Sequence, residues 1–332
     1  MLKGPRRLEF VRELVVDLSE NVCPNISRVA AKCGIPVSTA WRIYKSLISS
    51  FDTLIRAFCH YPNLRLKPVF VVLKPKSRSW LEHAIRFTYV TYVTVGYDRG
   101  EVGLMQLSTP PELIEETLRA IREHLGEVRE YYVFDRAVVG VPDFSALTGD
   151  LRLDKIEVRL LRRPVEYVNF DRLDLTILAK LQGRPYTPSE LASALGVNRK
   201  TLEYRLKRRV SKLIEGFAVH LMSDKLGIKS MIFAKGDPEG LLPLACLPFP
   251  HSMYVSDELV GLAALLPCSA YTELLKEISK HSEWVDYRLD PRIFKRYRVP
   301  VEALVEGKWT RRVLEIEPVA LRGESAQRGW SE

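Results

Sequence analysis

Two stretches of this sequence set cations and small polar groups at helical spacing, a pattern suited to a polyanion. In one, Arg199, Lys200, Thr201, Arg205, Lys207, Arg208 and Lys212 follow one another with Glu203 as the intervening acid. In the other, Ser38, Thr39, Arg42 and Lys45 sit in a segment with no acid between Arg28 and Ser50. Short hydroxyls and arginines at the start of a helix can reach base edges in a major groove, whereas later cations neutralise phosphates without reading sequence. The spacing therefore places Ser38, Thr39 and Arg42 nearest the bases in one stretch, and Arg199, Lys200, Thr201 and Arg205 in the other. Lys45, Lys207, Arg208 and Lys212 become phosphate contacts. The two sets share few side chains, so two dissimilar half-sites of double-stranded DNA are expected.

Other chemistry finds less to stand on. Five cysteines are scattered without a CxxC pair, and Cys59-His60, an adjacent thiol and imidazole, has no second pair at metal spacing. Six histidines are dispersed, and no Ser-His-Asp order, HExxH or glycine-rich phosphate loop occurs. The expectation is a protein that is not an enzyme and holds neither cofactor nor metal. Gly96-Tyr97-Asp98 reads first as a hairpin turn.

The elements that position the basic stretches appear twice. Val29, Ala30, Gly34, Ile35 and Thr39 fall on Leu191, Ala192, Gly196, Val197 and Thr201 at a constant separation of 162 residues. Val102-Gly103-Leu104 then meets Val260-Gly261-Leu262 at 158 residues, as do Pro142 with Pro300 and Gly149 with Gly307. Each copy opens with an apolar helical stripe, for example Phe10, Leu14, Val15 and Leu18. Gly34 and Gly196 then offer the turn between a second and a third helix, with Ser38 and Asn198 as caps. The first copy lacks four residues after its third helix, which predicts a shorter helix and a less regular wing. Strand and helix patterns follow in the order β-α-β-β-α-β in both copies.

The expected fold class is thus α+β, with two winged helix-turn-helix domains alternating with two ferredoxin-like (βαββαβ) domains by internal duplication. The boundaries read as 1–60, 61–164, 165–225 and 226–318, with a flexible tail at 319–332. Both ferredoxin-like units are expected to join in one sheet core, a covalent pseudo-dimer that leaves open a further homodimer. Over 332 residues the net charge is +9, which favours an anionic partner. The N-terminus lacks a signal-like apolar region and no apolar run reaches membrane length, so a cytoplasmic protein without a membrane partner is expected.

Residues 173–236 resemble the leucine-responsive regulator/AsnC family of prokaryotic transcription regulators. The likeness runs through LDLTILAKLQ and ELASALGVNRKTLEYRLKRRVSKLIEGFAVHL; the first copy is similar more loosely, with Ser50 in place of the wing glycine. That resemblance implies paired ferredoxin-like domains and a small-molecule effector near the hairpin, where Gly96, Tyr97 and Asp98 are similar to the family's signal. The second copy has Ser256-Asp257-Glu258 there instead. Siroheme decarboxylases share this fold and work as pairs of unlike regulator-like subunits, so a fused pair would look like this chain. The cations of residues 199–212 favour the regulator. A third reading is an interaction module with one degenerate helix-turn-helix.

Overall fold

The computed structural model describes residues 5–49, 53–147, 153–221, 227–249, 251–296 and 298–314; the tail expected at 319–332 lies outside them. The chain mixes helix and sheet in two parallel passes. In the first pass α1 (Pro5–Asn21), α2 (Ile26–Lys32) and α3 (Val37–Ser49) lead into β1 (Thr53–Cys59) and the short α4 (Tyr61–Leu64). There follow β2 (Lys67–Pro75), α5 (Trp80–Ala84), β3 (Val90–Tyr97), β4 (Glu101–Thr109), α6 (Ile114–His124), β5 (Gly126–Val133), β6 (Arg136–Gly140) and β7 (Leu160–Leu161). The second pass repeats the helices as α7 (Arg172–Leu181), α8 (Pro188–Leu195) and α9 (Arg199–Arg208), with β8 (Ile214–Leu221) after them. It continues with β9 (Ile228–Gly236), α10 (Pro238–Leu241), β10 (His251–Val255), β11 (Leu259–Leu266), α11 (Cys268–Ser279) and β12 (Ser282–Arg296).

Both passes build the same strand order into one sheet. It runs β5-β2-β4-β3 from the first pass, β12-β9-β11-β10 from the second, and closes with β6-β7. The fourth strand of each unit changes partners part-way. β12 pairs with β9 from Ser282 to Arg288 and with β3 from Arg288 onward, with a register shift between Leu289 and Phe294. In the first unit the same task is divided. β5 pairs with β2, Phe134 and Asp135 turn the chain, and β6 pairs with β10. The two ends of the sheet are therefore joined by two residues of backbone, and the sheet curls until its halves face each other. Strands that switch sheets at bends are the usual way such corners are made.

The strand sequences explain why the sheet has two apolar faces. In β2, Phe70 and Val72 join the core between the facing halves, while Val69, Val71 and Leu73 pack outward beneath Trp80, Leu118 and Ile121. In β9, Met231 and Phe233 point inward, and Ile232 and Ala234 meet Leu274 and Ile278 of α11. This is period-two alternation with both faces apolar. Phe233 sits at the middle of the inner core. Its ring stacks 3.8 Å from Tyr132 and lies 5.7 Å from Phe70. Burying one such ring contributes roughly 1.5–3 kcal/mol.

Each unit also lends a strap to the other. The first unit's residues Val138, Leu153 and Ile156 belong to the outer core of the second, and Asp143 N–H donates to the Cys246 carbonyl at 2.8 Å. In return Ala303 and Val313 enter the outer core of the first unit, Thr88 N–H donates to the Val313 carbonyl at 3.1 Å, and the Trp309 indole donates to Leu64 O at 2.8 Å. The sequence correspondence of Pro142 with Pro300 falls in these straps.

The helical modules interlock as well. β1 pairs antiparallel with β8 from Thr53–Leu221 to Phe58–Gly216, with a register shift before Cys59–Ile214. Two expectations need correction. The third helix of the first module is the longer one: α3 runs 13 residues and α9 10, since the chain tightens into a 3-10 turn at Val210–Leu213 before β8. Ser38 lies inside α3, which begins at Val37, so it does not cap it. Phe217 N–H donates to Ser19 Oγ of α1 at 2.9 Å, tying the first module to the second. Among the described residues no helix is long and apolar enough to cross a membrane.

Candidate functional site

The second basic helix is placed by strong local signals. Thr187 and Glu190 form a reciprocal capping box at the start of α8, with Pro188 in its first turn. Gly196 ends α8 with φ +64°, a backbone state that a side chain would strain, and Asn198 caps α9 through Lys200 N–H at 2.8 Å. Lys200, Thr201, Lys207 and Arg208 are exposed on α9. The other cations are occupied. Arg205 donates to both oxygens of Asp171 at 2.8 and 2.7 Å and to Asp174 at 2.9 Å, and Arg209 reaches the same two carboxylates at 3.2 and 3.3 Å. Arg199 pairs with Glu203 at 2.7 Å and Lys212 with Glu166 at 2.5 Å.

Arg205 therefore does not face a base edge, as its spacing suggested. It ties α9 to the N-terminal cap of α7, where Asp174 is fully buried. Burial pushes the Asp171 carboxyl upward, but the Arg205 guanidinium and the backbone N–H groups of Asp174 and Leu173 outweigh it and hold it below its ordinary value. In the first module Ser38, Arg42 and Lys45 are exposed and Thr39 is half-buried. Their upstream neighbours Arg28 and Lys32 pair with Asp17 and Glu13.

Gly96, Tyr97 and Asp98 end β3 as a hairpin, with Tyr97 and Asp98 exposed. A Cβ at Gly96 would stand 2.3 Å from Leu104 Cδ1, so the buried Leu104 side chain would have to shift. No ligand is needed to explain the glycine. A shallow, open depression lies elsewhere, where the strap at Thr310, Arg311, Arg312, Val313 and Leu314 passes Glu116 of α6. It exists only because the second unit's strap crosses the first unit's helix, and Arg311 and Arg312 are exposed beside it.

Sequence reasoning missed a buried polar cluster where the linker between the halves meets β1 and β8. His60 and Glu215 are 2% and 4% exposed, with Nε2 3.5 Å from the carboxylate. His60 Nδ1 accepts from Asn63 N–H at 3.1 Å, which leaves the ring proton on Nε2, 3.3 Å from the Arg163 carbonyl. Burial pushes Glu215 up to about 7 against the downward pull of Arg136, the Arg163 backbone and side chain, and Arg162. Burial likewise lowers His60. An acid within the apolar run Ile214–Val219 was the available signal. Among the described residues no group of three or more His, Cys, Asp or Glu could hold a metal ion.

No protein-family model matches the sequence, and no curated protein matches it. Among solved structures, siroheme decarboxylase NirDL in co-complex with an iron-uroporphyrin III analogue is 15% identical, covering 89% of this chain and 94% of that one with a TM-score of 0.51. A second structure of siroheme decarboxylase NirDL is 16% identical over 88% of this chain and 94% of that one, with a TM-score of 0.49. The leucine response regulatory protein LrpA of Mycobacterium tuberculosis is 16% identical and covers 40% of this chain and 91% of its own, with a TM-score of 0.25. The co-complex match shows a shared fold along nearly the whole chain. It also corrects the expectation of a protein that is not an enzyme, since a siroheme decarboxylase carries this fold.

Proposed function

We propose that this chain is an enzyme acting on a carboxylated tetrapyrrole, a decarboxylase of the siroheme type in which two regulator-like halves form one working pair. On this reading the helical modules are winged helix-turn-helix units and the sheet units ferredoxin-like duplicates, with the boundaries given above. The observation that carries it is the fold shared with siroheme decarboxylase NirDL over 89% of this chain and 94% of that one. At the seam Arg311 and Arg312 lie exposed near Glu116, and guanidinium groups suit carboxylates, which arginine can hold bidentately. Because strap and helix come from different halves, the site is complete only in the fused pair. The argument that favoured a regulator also weakens, since Arg199, Arg205, Arg209 and Lys212 are paired within the chain.

Loss of CO2 from an acetate side chain breaks its C–C bond and leaves the electron pair on the methylene carbon, which then takes up a proton. The test is a visible absorption titration of the purified protein with siroheme, followed by mass analysis of the tetrapyrrole. A saturable spectral shift, loss of CO2 from the product, and weaker binding by Arg311→Ala with Arg312→Ala are expected. An unchanged spectrum would reject the reading.

A second reading, sequence-specific DNA binding, is favoured by the exposure of Lys200, Thr201, Lys207 and Arg208 on α9 and of Ser38, Arg42 and Lys45 on α3. It requires binding to selected DNA whose affinity falls steeply with salt and whose salt slope flattens on charge reversal at Lys207 and Arg208.

A further inference from the structure

Helix α9 turns its apolar side inward and leaves a ring and three cations on the other. Leu202 and Leu206 are buried, Arg205 and Arg209 bond to Asp171 and Asp174, and Arg199 is paired with Glu203. At about 3.6 residues per turn, the remaining Lys200, Tyr204, Lys207 and Arg208 fall on one side, each cation within about 60° of the tyrosine round the helix. Tyr204 is 59% exposed. Among the described residues none of these four side chains has a hydrogen bond, ion pair or ring contact. The acid nearest in sequence, Glu203, is already neutralised by Arg199 at 2.7 Å. The same chemistry recurs past the helix. Lys212 meets Glu166, and the next residue, Tyr167, is 80% exposed with the Arg65 guanidinium 5.3 Å from its ring.

We propose that this face of α9 binds single-stranded nucleic acid, with one unpaired base stacked on the Tyr204 ring and the flanking phosphates held by Lys200, Lys207 and Arg208. The charge calls for a polyanion, since three cations stand there without a counter-charge. The ring decides between a duplex and a single strand. In a duplex each base face is covered by its neighbours, and the edges left in the groove are read by donors and acceptors. A phenol ring at the centre of the face offers mainly a π-surface, which a base outside a stack can cover. The arginine whose spacing suited a base edge, Arg205, is turned into the fold. In the other module the position 162 residues earlier is Arg42. The exposed ring beside it, Trp41, already packs edge-on to Tyr44 with centroids 5.8 Å apart, so the site belongs to α9 alone. This site does not rest on the tetrapyrrole reading, and it sets on α9 a different nucleic acid from the duplex.

Fluorescence anisotropy of the full-length protein tests this, with labelled oligothymidylate and oligouridylate of about twelve nucleotides and a mixed-sequence duplex of equal length. The better single strand should bind about tenfold tighter than the duplex, and its sugar names the natural partner as DNA or RNA. Tyr204→Ala should weaken that binding about tenfold, while Tyr204→Phe keeps it, because stacking needs the ring and not the hydroxyl. Lys207→Glu with Arg208→Glu should flatten the dependence of affinity on salt. A duplex bound as tightly as the single strands would overturn the proposal, as would unchanged affinity in Tyr204→Ala or no binding to any of the three probes.

Discussion

Replacement of Arg205 separates a structural cation from a nucleic-acid contact. Its guanidinium makes three hydrogen bonds of 2.7–2.9 Å to Asp171 and Asp174, and its side chain is 20% exposed. Asp174 is 0% exposed, so Arg205→Ala leaves a buried carboxylate whose remaining cation is Arg209 at 3.3 Å. Breaking a buried pair from one side costs about 3–5 kcal/mol. Retention of Arg209 and the 45% exposure of Asp171 bring the expectation down to about 2–3 kcal/mol. Lys207, two residues on and exposed, is the internal control; Lys207→Ala should stay within about 0.5 kcal/mol. Urea unfolding followed by far-ultraviolet circular dichroism measures both. Equal midpoints for the two variants would refute the argument that Arg205 serves the fold. If the difference appears, loss of DNA binding on altering Arg205 reports unfolding of the module and says nothing about base contact.

Four further outcomes follow from the same geometry. Gly96→Ala should cost about 1–3 kcal/mol by overpacking against Leu104, read as a lowered thermal midpoint, and should do so with no effector present. Phe233→Ala empties the centre of the inner core and should cost about 3–5 kcal/mol in denaturant unfolding. Asp171, held below its ordinary value of 3.8, contributes stability that is present above that value and lost as pH falls through its lower folded value; an Asp171→Asn variant should show a flatter acid limb in a pH–stability scan. Moving a carboxyl from 4.5 to about 7, as at Glu215, corresponds to roughly 3 kcal/mol. Most of that should be recovered by Glu215→Gln above neutral pH in thermal melts, and little of it near pH 5.

Much of the architecture was legible because it is local or repeated. The 162-residue correspondence set the two passes, and Gly196 marked the end of α8. The continuous apolar runs Val69–Leu73 and Met231–Ala234 fit strands covered on both faces. Long-range pairing was not legible. Nothing in the residues around Phe134 and Asp135 says that the chain leaves β2 for β10, because the pattern is continuous while its partner changes. Arg205 was placed among base contacts for a related reason. A sequence displays charges without their counter-charges, and those of Arg205 lie 34 and 31 residues upstream at Asp171 and Asp174. Gly96 was open to the same error, since a glycine wanted by a neighbour's methyl group looks identical to one wanted by a ligand. The Arg311–Arg312 depression needs two segments almost two hundred residues apart in sequence, and no spacing rule reaches that far.

Duplication within one chain has a physical consequence that two identical subunits could not share. In a symmetric pair every site occurs twice, and any residue recruited to one copy is imposed on the other. Here the halves have drifted apart where they meet. The partner-switching strand is continuous in β12 and broken between β5 and β6. Among the described residues the Asp171–Asp174–Arg205–Arg209 network has no counterpart in the first module, where Glu9 and Arg12 on α1 and Ile43 and Leu47 on α3 stand 162 residues earlier. The seam depression forms from one strap and one helix, and its arginines come from the second strap. The interlocking straps and the β1–β8 pair keep such unlike halves in register, so each can change without the pair coming apart. Unlike halves held in one chain suit an asymmetric partner, and that holds equally for a small molecule at the seam and for DNA with two dissimilar half-sites.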